Sequence, residues 1–189
     1  MRIVLDQDQV LAKWVERILE WYNQDYKTNF SREDVKTYWS MDGLLGTQGR
    51  DFLRSCMRYP ELYRDLDPVE GALDGVRRLI DMGHDVVIAT AIPSCAGIAY
   101  HGKLEWIRRN MPFFDLKNFI AIQRKDLVDG DLLLDDGPHN IDAWSHNHPE
   151  KTTVVFDCPW NQGVKATHRV KSWKEFLDLV EKLDPPIPF

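Results

Sequence analysis

Ile3-Val4-Leu5-Asp6-Gln7-Asp8 is a short apolar run that stops on a carboxylate, with a second carboxylate two residues on. A brief, continuous apolar stretch of this kind suits a strand buried on both faces. Related runs recur at Val86-Val87-Ile88-Ala89, Phe119 to Ile122, Leu132-Leu133-Leu134 and Thr153 to Phe156. The segments between them carry helical spacing. Ala72, Val76, Leu79 and Ile80 make one face, closed by Gly83. Leu104, Ile107 and Met111 make another, in a helix that Lys103 would open. A short helix is expected from His139 or Asn140. Ser172 and Glu175 form a capping box for a last helix that turns Phe176, Leu177, Val180 and Leu183 inward. Buried strands alternating with helices predict an α/β fold, a Rossmann-like parallel sheet with helices on both faces.

One stretch breaks the alternation. Leu11, Trp14, Ile18 and Trp21 recur at helical spacing, Ser31 with Asp34 marks a helix start before Val35, and Arg50 to Arg58 suits another helix. No strand pattern occurs before Asp67-Pro68. The reading is a small helical cap, residues 14–68, inserted after the first strand into a core made of residues 1–13 and 69–189.

Size and composition fit this plan. A chain of 189 residues accommodates one core with a small insert. No apolar run approaches a membrane span, and no signal-peptide pattern precedes the first strand. Three cysteines, Cys56, Cys95 and Cys158, lie far apart and show no zinc spacing, which predicts a reduced, cytoplasmic setting. A net charge of −6 argues against a nucleic-acid polymer as partner. A small anionic substrate is compatible with it if the site supplies local positive charge.

Ligands of parallel sheets bind beyond the carboxyl ends of the strands. Four polar groups stand there: Asp6-Gln7-Asp8, Thr90, Lys103 and Asp135-Asp136. Each suits phosphoryl transfer, which requires a positioned nucleophile and neutralised equatorial oxygens. Asp6, ending its strand, is placed to attack phosphorus and form an aspartyl-phosphate. Asp8 can protonate the leaving oxygen and then activate water. Clustered carboxylates repel unless a cation sits among them, and oxygen ligands without His or Cys favour Mg²⁺. Thr90 can donate its hydroxyl, and Lys103 its charge, to phosphoryl oxygens. Receiver domains use similar residue types, but their paired acids precede the phosphorylated Asp. Here the order is Asp-x-Asp, Thr, Lys, Asp-Asp.

That order resembles the haloacid-dehalogenase superfamily. Val4-Leu5-Asp6-Gln7-Asp8-Gln9-Val10-Leu11-Ala12, Asp67-Pro68-Val69-Glu70-Gly71-Ala72 and Leu133-Leu134-Asp135-Asp136-Gly137-Pro138 resemble the 5′(3′)-deoxyribonucleotidases and their phage and bacterial relatives, over nearly the whole chain. The resemblance implies a Mg²⁺-dependent phosphomonoesterase acting on (deoxy)nucleoside monophosphates. Asp6 would be nucleophile and metal ligand. Asp8 would be acid/base and offer the metal its backbone carbonyl. Thr90 and Lys103 would bind phosphate. Asp136 would ligate the metal, with Asp135 supporting. Trp14, Tyr38 and Trp39 match positions where the family places aromatics around the nucleoside. A homodimer is compatible with the family. The chain departs from the family pattern at three positions: Gln9 for a usual Gly, Ala91 for a frequent Ser, and Gly137 for a frequent Arg.

Two alternatives stay open: a phosphatase of this superfamily on another small phosphate ester, and a catalytically silent nucleotide-binding protein. His139, His146, His148 and His168 lack ligand spacing and are read as surface or capping residues. Asp157-Cys158-Pro159-Trp160-Asn161 resembles a Pro-Trp/Tyr-Asn turn of the relatives, and two readings stay open: a segment that borders the site, and a structural turn alone.

Overall fold

The computed structural model describes residues 1–38, 42–93 and 97–185. Its centre is a parallel sheet of six strands: β1 (Arg2–Leu5), β2 (Asp85–Thr90), β3 (Phe119–Ala121), β4 (Leu132–Asp135), β5 (Thr152–Phe156) and β6 (His168–Val170), ordered β3-β2-β1-β4-β5-β6. Ile3 stands opposite Val86 on one side and Leu132 on the other, so the strand bearing the first carboxylate is interior. The chain runs outward from β1 in one direction through β2 and β3, then returns to β1's other edge to place β4. That reversal makes a crevice at the strand ends on either side of β1.

Alternation along each strand feeds two cores. Ile3, Leu5, Val86, Ile88, Leu132 and Leu134 point to one face, under α4 (Ala72–Asp81), α5 (Ile98–Asn110) and α7 (Trp173–Leu183). Val4, Val87, Leu133 and Val155 point to the other, where Ile141 and Trp144 of α6 (Pro138–Asn147) cover them. Burial on both faces explains why the strands read as unbroken apolar runs.

A third core lies outside the sheet. Val15, Ile18, Leu19 and Tyr22 of α1 (Trp14–Tyr26) pack with Phe52 and Leu53 of α2 (Asp42–Cys56) and with Leu62 and Tyr63 of α3 (Glu61–Arg64). Ala99, Cys158 and Trp160 join this cluster from the sheet's side. Gly102 is where α5 meets α3. A Cβ there would lie 2.8 Å from the Pro60 carbonyl oxygen and 2.8 Å from Tyr63 Cβ, so only glycine permits the approach.

Several expectations shift. α5 begins at Ile98, so Lys103 lies inside the helix instead of opening it, and projects from its second turn. The Ser31–Asp34 capping box exists, with Asp34 accepting from the Ser31 amide at 2.8 Å, but it closes only a 3₁₀ turn, Arg32–Asp34. α2 starts earlier than Arg50 and contains a break at Gly46, whose φ is +61°. β6 was not expected at all. Cys56 and Cys158 are free thiols among the described residues, and Cys95 lies outside them. Among the described residues, no helix is long and apolar enough to cross a membrane.

Candidate active site

The strand ends gather the expected residues. Asp6 follows β1 directly, and its amide still donates to Leu134 O of β4 at 3.0 Å, so the sheet holds its backbone. Thr90 is the last residue of β2 and Asp135 the last of β4. Lys103 Nζ donates to Asp8 Oδ2 at 2.6 Å and to Thr90 Oγ1 at 2.7 Å, with the lysine side chain fully buried. Asp6, Asp8, Thr90, Lys103, Asp135 and Asp136 thus converge on one spot, as the order of motifs suggested.

A residue the sequence reading passed over sits at the centre. Lys125, fully buried, reaches Asp6 Oδ1 and Asp135 Oδ2 at 2.6 Å each. It belongs to a 3₁₀ turn, Lys125–Leu127, just beyond β3. Its neighbours fix it: Arg124 holds Asp126 through two hydrogen bonds, at 2.8 and 2.5 Å, and Asn147 of α6 donates to Asp126 at 2.6 Å. Lys125 stands four residues past the end of β3, within the charged run Arg124-Lys125-Asp126, so the strand-end criterion does not single it out.

Four carboxylates face two lysines here, which leaves two negative charges uncompensated. Burial and mutual repulsion act accordingly. Burial raises Asp6 above the usual carboxylate range against the pull of Lys125. Burial likewise raises Asp8 against the pull of Lys103. Asp136 is raised well above that range by burial, then by Asp135 and Asp6. Lys125 is held charged against its own burial, chiefly by Asp135 and Asp6. One carboxylate oxygen from each of Asp6, Asp135 and Asp136 lies within 4.8 Å of the others. Asp8 Oδ1 is buried with no hydrogen-bond partner. Hard oxygen donors with two excess negative charges fit a divalent cation such as Mg²⁺.

The two adjacent acids differ in their surroundings. Asp135 accepts from Lys125, from the Gly137 amide at 2.7 Å and from Asn140 Nδ2 at 3.0 Å to each oxygen, so its lone pairs are largely committed. Asp136 accepts from Trp160 Nε1 at 2.9 Å through Oδ2. The first is equipped to support the loop and the second to face a ligand.

Over these groups lies a cavity of about 90 Å³. Asp6, Asp8, Lys125 and Asp136 form its polar floor. Trp14, Val35, Tyr38, Leu53 and Met57 wall it from the helical segment, and His139 and Trp160 from the sheet's side. Trp14 also packs against both the sheet core and the helical core. The Tyr38 ring lies 5.1 Å from that of His139, tilted by 43°, and its hydroxyl lies 2.8 Å from where a Cβ of residue 137 would stand. The Gly137 departure therefore makes room for Tyr38. Burial, then Asp136, pushes the Tyr38 hydroxyl far above its usual range, so it stays a neutral donor. Trp39 lies outside the described residues. Gln9 takes φ +59°, the left-handed region that a glycine occupies freely, and its Oε1 accepts from the Val15 amide at 2.8 Å in the first turn of α1. His139 is exposed in the first turn of α6, as its reading as a surface or capping histidine expects, and it also borders the cavity.

Comparison with known proteins narrows the reading. The family pattern of "5′ nucleotidase, deoxy (Pyrimidine), cytosolic type C protein" matches residues 1–184. A Bacillus subtilis (strain 168) protein named 5′(3′)-deoxyribonucleotidase is 27% identical over 175 residues, 92% of this chain and 94% of its own. The protein of that name from Bacillus phage SPbeta matches to the same extent, 27% over 175 residues. Among solved structures, a HAD family hydrolase from Deinococcus radiodurans R1 with bound phosphate and sodium superposes with a TM-score of 0.66 at 14% identity, covering 100% of this chain and 98% of that one. A HAD-hydrolase from Bacillus subtilis bound to magnesium gives 0.56 at 14% identity, covering 95% and 98%. The solved structures bear out the fold, and the family pattern spans the strand-end carboxylates, both lysines and the helical segment together. The chain belongs to the family of 5′ nucleotidase, deoxy (pyrimidine), cytosolic type C proteins, phosphoric monoester hydrolases of the haloacid-dehalogenase fold.

Proposed function

We propose that this chain is a Mg²⁺-dependent phosphomonoesterase that hydrolyses nucleoside monophosphates, deoxyribonucleotides favoured, through an aspartyl-phosphate on Asp6. The observation that carries this reading is the convergence of Asp6, Asp8, Thr90, Lys103 and Lys125 by contacts of 2.6–2.7 Å at the ends of adjacent strands. Asp6 attacks phosphorus, and Asp8 protonates the departing alcohol oxygen. The upward push on Asp8 favours the protonated form that this step needs. Asp8 then takes a proton from the water that cleaves the acyl phosphate. Lys103, Lys125 and the Thr90 hydroxyl turn to the phosphoryl oxygens, a role in which preorganised donors commonly contribute about 2.7–4 kcal/mol each. Asp6, Asp136 and the Asp8 carbonyl would hold the metal, which when bound neutralises the phosphate and the excess carboxylate charge.

Residues 14–68 serve as the cap. A cavity of about 90 Å³ is well below the ~300 Å³ or more of a typical ligand pocket, so a nucleotide requires this segment to move. Trp14 and Tyr38 then border the nucleoside, with Trp39 assigned beside them on family resemblance alone. Asp135 keeps the Asp136 loop in place.

The test is phosphate release from dUMP, dTMP and an aryl phosphate, with Mg²⁺ and with EDTA. Metal-dependent release is expected, and Asp6→Asn should abolish turnover. No release from any ester by the folded protein would refute the proposal, and so would a fully active Asp6→Asn protein. The small cavity also favours a second reading, a smaller phosphate ester as substrate, which far faster turnover of non-nucleotide esters would establish.

A further inference from the structure

The turn after β5 reads as punctuation in the sequence, yet it grips Asp136 at both ends. Trp160, 8% exposed, donates its indole N–H to Asp136 Oδ2 at 2.9 Å. Asn161, 1% exposed, donates Nδ2 to the Asp136 carbonyl at 2.9 Å and to the Phe156 carbonyl at 2.8 Å. The turn is itself braced. The Cys158 amide donates to Asn161 Oδ1 at 3.0 Å, and Arg169 of β6 donates to Asn161 Oδ1 at 3.0 Å and to Asp157 Oδ1 at 2.6 Å. From the helical segment, Arg32 donates to the Asp157 carbonyl at 3.0 Å, and its guanidinium lies 5.6 Å from the centre of the Trp160 ring.

We infer that Trp160 is a positioning residue for the metal centre: by tying Oδ2 of Asp136 to a braced indole N–H, it fixes the carboxylate's rotation and presents Oδ1 to the cation. The inference rests on the reading of Asp136 as a metal ligand. A carboxylate has two equivalent oxygens and a soft terminal torsion. Left alone at the start of α6, the Asp136 side chain would lose rotational freedom each time it ligated a cation. A donor that holds one oxygen removes that cost in advance. Trp160 also walls the cavity. The same indole therefore meets the nucleoside side with its ring and the metal side with its edge. Arg32 ties both to the helical segment, so movement of that segment is felt at the metal ligand.

The test uses the whole protein and Mn²⁺ alone, with binding followed by electron paramagnetic resonance, so that catalysis does not enter. Trp160→Phe keeps an aromatic wall and removes the donor. Its Mn²⁺ dissociation constant should rise about 10–100-fold, the range for lost outer contacts of metal ligands, while the metal-free melting temperature stays near that of the parent. Trp160→His, which restores an N–H, should recover most of the affinity. A folded Trp160→Phe protein that binds Mn²⁺ within about twofold of the parent, on the scale of that same expectation, overturns the inference. If Trp160→Phe does not fold, the parent protein decides. Its Trp160 indole N–H resonance must move when Mg²⁺ is added, while those of Trp106 and Trp173, whose N–H groups are bound to the Leu66 and Val10 carbonyls, stay put. An unmoved Trp160 resonance refutes the inference. A parent protein that binds no Mn²⁺ refutes the reading of Asp136 as ligand, and the inference with it, so the two failures are told apart.

Discussion

At the scale of single residues, Gln9 separates backbone strain from a capping bond. An L residue in the left-handed region costs about 1 kcal/mol relative to glycine, and the Gln9 side chain answers with its bond to the Val15 amide. A lost helix cap also costs about 1 kcal/mol. Gln9→Gly exchanges one for the other and should leave stability unchanged to within ~0.5 kcal/mol. Gln9→Ala keeps the strain and loses the cap, so it should destabilise by about 1 kcal/mol in urea denaturation. A Gln9→Ala protein as stable as the parent would show that the capping bond contributes nothing, and equal stabilities for the two variants that the left-handed backbone costs nothing there. The residue pattern alone marked Gln9 as a departure. That its side chain compensates could not be read there, because the bond depends on where α1 begins relative to the loop. Lys125 escaped for a related reason. Nothing in Gln123-Arg124-Lys125-Asp126 distinguishes a buried bridging lysine from a solvated charge run until β3 directs the chain toward Asp6. Asp6, Asp8, Thr90 and Asp135-Asp136 were legible because each ends or directly follows an apolar run long enough to be recognised.

At the scale of elements, α5 and α3 show how the helical segment is fastened to the sheet. Their contact is made at Gly102, next to Lys103, and the Tyr63 ring of α3 lies 5.9 Å from Lys103 Nζ. Gly102→Ala drives a methyl group into the Pro60 carbonyl and must part the two helices. Overpacking of this kind costs about 1–3 kcal/mol. The variant should melt earlier by several degrees and lose phosphatase activity more than its stability predicts, because Lys103 loses its cover. A variant with unaltered melting and kinetics would mean that α3 does not pack there in solution. The elements expected from sequence were right where a sustained helical period or an unbroken apolar run marked them, as in α4, α7 and β4. They failed where an element is too short to show a period. β6, with three residues, His168-Arg169-Val170, is an edge strand with two half-buried polar residues. The turn at Arg32–Asp34 carries a true capping box with no helix behind it.

At the scale of the molecule, two opposed sets of ionisable groups set the response to pH. The Arg64 side chain holds Asp65 below the usual 3.8, the Arg124 side chain does so for Asp126, and the Arg2 amide for Asp131. Groups lowered by folding stabilise above their ordinary value, and that contribution vanishes as pH falls through the lowered one. His84, lowered from 6.5 by burial, has the same sign and loses its contribution as pH falls through its lowered value. Asp6, Asp8 and Asp136 are raised, so in the metal-free protein their burial costs stability as pH rises above 3.8 and through their raised values. Chelator-treated protein should therefore melt higher near about pH 5 than near about pH 8, and Mg²⁺ should raise the melting temperature more at the higher pH. A metal increment independent of pH would contradict this balance. The interior position of β1 has a further consequence, in time instead of energy. Arg2–Leu5 leaves the ribosome ahead of both its neighbours in the sheet, residues 85–88 and 132–134. At about 5–20 residues per second, the strand that carries Asp6 waits many seconds for either partner. During that interval Ile3-Val4-Leu5 is an exposed apolar segment with open edges, and the nascent chain depends on what shields it.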